Sequence, residues 1–171
     1  SLLERSELDP EDLSARFASR PIFGLGNSVR QFLHNREQGV TPWYRCGAES
    51  AGNGALMRIA PLVLLHPEGN SAALWLDTAL ASIVTHRDAC SVASCVAFTD
   101  LLARLLRLPA PPTAAWITGT FLATLRQVCT DQPYRARGGQ FSAREGPFPD
   151  YLEHVLAEAA RHDWTTRQAC D

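Results

Sequence analysis

Ser50-Ala51-Gly52-Asn53-Gly54-Ala55-Leu56-Met57-Arg58-Ile59-Ala60-Pro61 sets two glycines and an asparagine directly before an apolar run of helical character. A backbone arranged in this way turns free N–H groups outward at the start of a helix. Those amides and the positive end of the helix dipole favour a phosphate or carboxylate. The missing side chains at Gly52 and Gly54 let a ligand come close to the main chain. The same string is also what an ordinary turn uses, so the residues alone leave both an anion-binding loop and a plain turn open. Either way the stretch ends a loop and begins a helix, which Pro61 should interrupt or kink although residues 62–65 stay apolar.

Working outward, every other ordered stretch also reads as helix. Asp9 caps a helix with Pro10 at its first position and acids in its first turn, and Arg20-Pro21 ends it. Phe23-Gly24-Leu25-Gly26-Asn27-Ser28 is a second glycine turn, with Asn27 or Ser28 available to cap a short helix through Val29, Phe32 and Leu33. Residues 39–47 are loop, in which Pro42, Trp43 and Tyr44 could form an aromatic wall. After a turn at 66–70, Ser71 begins a helix carrying Leu74, Leu76, Leu80 and Ile83. Asp88 caps the next, with Val92, Cys95, Val96, Thr99, Leu102 and Leu106 at helical spacing.

Residues 109–112 break the chain, and Thr113 caps a helix with Trp116, Ile117, Phe121, Leu125 and Val128 on one face. Residues 131–149, rich in Arg, Gly and Pro, read as a long surface loop. Asp150 and Glu153 have capping-box spacing for a last helix, whose core face would be Leu152, Val155, Leu156 and Ala159. No alternating strand is evident, so the expected class is all-α, an orthogonal multi-helix bundle.

The 171 residues suit one domain, and 46% apolar with 20% charged residues describes a globular chain. A formal charge of −2 gives no electrostatic case for nucleic acid or an anionic membrane as partner. Cys46, Cys90, Cys95, Cys129 and Cys170 lack metal-ligand spacing, and they read as reduced thiols of a cytoplasmic protein. No apolar run approaches the roughly 20 residues of a membrane span. Because the chain starts without Met, a longer parent protein is expected.

The string ESAGNGALMRIAPL at 49–62, followed by Thr85-His86-Arg87-Asp88 and preceded by FGLGNSVRQFL at 23–33, resembles the middle of the ADP-ribosylglycohydrolase family. The three stretches come in the family's order, over residues from about 8 to about 106. The resemblance implies an all-α bundle incomplete at both ends, and hydrolysis of the glycosidic bond between ADP-ribose and a protein side chain or related acceptor. It further implies that Gly24 and Gly26 in one loop, and Ser50, Ala51, Gly52, Asn53 and Gly54 in the other, present main-chain N–H groups to the ADP-ribose diphosphate. His86 would lie nearby and Met57 would pack beneath the loop. Arg58 is either a structural pair-former or a phosphate contact.

Two magnesium ions are implied by the family, whose ligands sit in a Thr-Asp-Asp-Thr string near the N-terminus and an Asp-x-Asp-Thr string near the C-terminus. Neither string occurs here. Asp77 and Asp88 read as helix-associated and Asp100 as solvent-facing, so no metal ligand is assigned. The chain is therefore expected to carry recognition, as part of a hydrolase or as an inactive ADP-ribose-binding or regulatory module. Its partner would be ADP-ribose or an ADP-ribosylated protein.

Two rival chemistries fit less well. Residues 48–52 approximate a nucleophile elbow around Ser50, with His154 or His162 as base, but such an elbow needs a buried strand before the serine. Arg135, Arg137 and Arg144 with Tyr134 and Phe141 offer charge and stacking for single-stranded nucleic acid. No basic face accompanies them. His34, His66, His154 and His162 form no metal spacing.

Overall fold

The computed structural model describes residues 7–19, 21–67, 71–129, 146–165 and 167–168. Among them run seven α-helices: α1 (Pro10–Ser19), α2 (Asn27–Glu37), α3 (Leu56–Ile59), α4 (Ser71–Ile83), α5 (Ala89–Leu105), α6 (Ala114–Val128) and α7 (Phe148–Arg161). Short 3₁₀ turns occupy Trp43–Arg45 and Ala60–Leu65. The only β pairing among the described residues is an isolated parallel bridge between Ala48 and His86. The class is all-α, as the periodicity predicts.

Helix α5 is the central element. It packs on α4, α6, α3 and the Ala60–Leu65 turn, and its buried positions are mostly small: Ser91, Ala93, Cys95, Ala97, Thr99 and Ala103. Small side chains let neighbouring backbones approach closely, so one helix can be covered on more than one side. Ile59, Leu62, Val63 and Leu74 fill one side with Cys95 and Ala103. Leu122 and Leu125 of α6 fill another against Ala93 and Ala97, with Phe148 and Leu152 of α7 packed on them. A third cluster, around Phe32, Cys46 and Val84, joins α1 and α2 to the end of α4.

Asp100 corrects the reading of a solvent-facing acid. It is 3% exposed and accepts from Trp75 Nε1 of α4 at 3.0 Å, Arg104 Nε at 2.8 Å and Thr124 Oγ1 of α6 at 2.8 Å. A helical stripe of apolar residues cannot reveal a buried acid whose donors come from two other helices.

Asp9, Asp88 and Thr113 accept from backbone N–H groups at the starts of α1, α5 and α6. Asp150 does not cap α7. Pro147 occupies that position and Asp150 lies within the first turn, because Pro149 already suits the helix start. Neither Asn27 nor Ser28 caps α2, which Gly26 precedes without a side-chain cap. Leu156 is exposed, off the core face expected for it, and Leu76 of α4 is exposed as well. The reading of 131–149 as loop lies outside the described residues up to 145, and Phe148 and Pro149 belong to α7.

Candidate functional site

Residues 45–49 are strapped to residues 83–87, which fixes where the glycine loop begins. Ala48 N donates to Thr85 O at 3.0 Å, and Arg87 N donates to Ala48 O at 2.8 Å. The Arg87 guanidinium reaches Glu49 at 2.8 Å and the Arg45 carbonyl at 3.2 Å. Gly47 permits this contact, since a Cβ there would stand 2.4 Å from the Ile83 carbonyl oxygen.

The strap carries the loop over His86. A Cβ at Gly54 would meet the imidazole at 2.8 Å from Cε1 and 3.0 Å from Nε2, and one at Gly52 would lie 3.6 Å from Nε2. Only glycine at 54 lets the backbone pass this ring. Ser28 Oγ, from the other glycine stretch, donates to Ser50 Oγ at 2.8 Å, and Ser50 Oγ accepts from Gly52 N at 3.2 Å. Ser91 Oγ of α5 donates to Gly52 O at 3.2 Å. A cleft of about 140 Å³ opens beside the loop, lined by Ala51, Gly52, Asn53, Leu56, Cys90, Ser91, Ser94 and Phe148.

His86 is 2% exposed, and its Nδ1 lies 2.9 Å from Thr85 Oγ1. Burial, and secondarily the nearby Arg58 cation, lower its pKa, so the ring is neutral at neutral pH. Arg58 NH2 donates to Thr85 Oγ1 at 2.7 Å and to Ala81 O at 2.9 Å. Its guanidinium also sits over the Phe17 ring at 5.0 Å. Burial brings its pKa down to about 10, which leaves it charged at neutral pH. Of the two roles open to Arg58, these partners support the structural one.

The structure thus brings Ser50, Gly52, Gly54 and His86 together and places Ala51, Gly52 and Asn53 on the cleft wall. Among the described residues, Gly24 and Gly26 are joined to this group through Ser28, two residues beyond Gly26, and a Cβ at either would meet nothing within 4 Å. Gly24 adopts φ +70°, a conformation that favours glycine whatever surrounds it.

Met57 does not pack beneath the loop. It is 80% exposed, because α3 is a single turn whose buried face belongs to Ile59. The expected aromatic wall is not part of the cleft either: Trp43 packs on the cluster around Phe32 and Val84. Sequence reasoning missed Ser91 and Phe148, which reach the cleft from helices distant in the chain. Ser28 was visible as a cap candidate only.

The three acids weighed as metal ligands are committed elsewhere. Asp77 Oδ2 lies 2.9 Å from His66 Nε2, Asp88 caps α5, and Asp100 joins three helices. Among the described residues no group of three or more His, Cys, Asp or Glu side chains could hold a metal ion.

A family profile described as ADP-ribosylglycohydrolase matches residues 1–169. Comparison with curated proteins and with solved structures returns no match.

Proposed function

Because the chain belongs to the ADP-ribosylglycohydrolase family, we propose that residues 50–54 and His86 bind the diphosphate and adjoining ribose of ADP-ribose, in a protein that hydrolyses the bond between ADP-ribose and an acceptor. What supports this most directly is Gly54 passing against the His86 ring, with the imidazole 2.8 Å from the Cβ position. Main chain and an uncharged ring nitrogen then face one ligand. Among the described residues, the N–H groups of Asn53 and Gly54 have no protein acceptor, and such amides suit phosphate oxygens. Gly24 and Gly26 would extend this surface on the far side of the Ser28–Ser50 contact.

Magnesium is implied by the family, and its chemistry there would be to position ribose hydroxyls and water. The described carboxylates do not fit such a site, since Asp77, Asp88 and Asp100 are each taken by a protein partner. No step through metal is derived from them. The same fact favours a second reading, an ADP-ribose-binding module without turnover. Cys46 and Cys95 are buried thiols, and a cytoplasmic setting remains part of this reading.

Calorimetric titration with ADP-ribose tests the assignment. Gly54→Ala, whose methyl would collide with a buried ring, should weaken binding at least about tenfold, and Gly52→Val should do likewise. Unchanged affinity in both would remove the loop from the binding site. A release assay on ADP-ribosylated protein separates the hydrolase from the binding module.

A further inference from the structure

The Thr85 hydroxyl determines which nitrogen of His86 carries the proton. A guanidinium can only donate, so Thr85 Oγ1 is the acceptor in its 2.7 Å contact with Arg58 NH2. The hydroxyl is fully buried, and its one other partner among the described residues is His86 Nδ1 at 2.9 Å. If Nδ1 bore the proton, Thr85 would accept twice and its own hydrogen would be buried without an acceptor, which is costly. The hydroxyl hydrogen therefore points to Nδ1.

We propose that Arg58 and Thr85 are positioning residues that hold His86 as the neutral Nε2–H tautomer, so that the ring offers a hydrogen-bond donor past Gly52 and Gly54. Nε2 is the ring nitrogen nearest Gly52, 3.6 Å from its Cβ position, and no described protein group bonds it. A donor aimed this way selects an acceptor-rich ligand, such as a phosphate ester or a ribose oxygen. Its identification as ADP-ribose rests on the function proposed above, whereas the tautomer does not. Arg58 and Thr85 touch only His86 and the protein behind it, so they act through the ring.

Nitrogen-15 NMR of histidine-labelled full chain reads the tautomer directly. The wild type should show His86 Nδ1 at an unprotonated shift and Nε2 at a protonated one. Thr85→Val should mix the two forms, Thr85→Ser should restore the single form, and Arg58→Met should add population to the Nδ1–H form. ADP-ribose affinity should fall about threefold to tenfold in Thr85→Val and return in Thr85→Ser. A wild-type Nδ1–H signal, or an unchanged spectrum in Thr85→Val, would overturn the proposal. Should Thr85→Val fail to fold, the wild-type and Thr85→Ser spectra still decide. The Nε2–H signal in a wild type that does not bind ADP-ribose would support the tautomer and count against the ligand.

Discussion

Gly47, Gly54 and Gly119 are glycines in three different circumstances, and substitution should separate them. A methyl at Gly47 meets a carbonyl oxygen of the backbone at 2.4 Å, which cannot rotate away. Gly47→Ala should cost about 1–3 kcal/mol in urea denaturation and weaken ligand binding by releasing the strap. Gly119 is helical with nothing within 4 Å. Gly119→Ala should therefore add about 0.5–1 kcal/mol.

His86 gives a pH dependence whose sign follows from burial. Its folded pKa is lowered from the ordinary value of 6.5, so below that value the unfolded chain binds more protons than the native one. Stability is then fully present above pH 6.5 and falls as pH drops through and below it, by at most about 1.4 kcal/mol per pH unit. His86→Gln should flatten that part of the profile, measured as urea midpoints between neutral pH and the onset of carboxylate titration.

At the level of elements, α5 shows how a polar residue can organise a small-residue helix. Asp100 accepts from Trp75 and Thr124 on the helices at either side, so it sets the register of α4 and α6 against α5. Arg104 is 53% exposed, and its ion pair adds little. Asp100→Leu should cost about 2–4 kcal/mol, since it leaves an indole N–H and a buried hydroxyl unpaired, and Asp100→Asn should cost less. The α6–α7 ion pair of Arg126 with Glu153 is solvent-exposed. Glu153→Ala should thus change stability by under about 1 kcal/mol. Denaturation midpoints of the three variants give the ranking.

Across the whole molecule, Phe23, Met57, Leu64 and Leu106 stand in solvent, with Leu64 and Leu106 sharing one groove. Among the described residues no three His, Cys, Asp or Glu side chains converge as a metal site would require, and tight binding of magnesium needs several converging oxygens. Calorimetry should accordingly detect no tight magnesium binding by this 171-residue chain. Micromolar binding would mean that acids distant in sequence converge.

The sequence by itself determined the helical class, the caps at Asp9, Asp88 and Thr113, and the interruption of the helix at Pro61. These are local properties, set by a side chain acting on backbone groups within one turn of itself. It also indicated residues 50–54 and His86 as members of one motif set. Only the tertiary structure decided that Gly54 abuts the His86 ring, that Ser28 bonds Ser50, that Arg58 turns inward onto Thr85 and Phe17, and that Asp100 is buried. Each of those contacts joins residues well separated in the chain, and hydrogen-bond partners at such separations follow from how helices pack, which periodicity within a single helix does not encode.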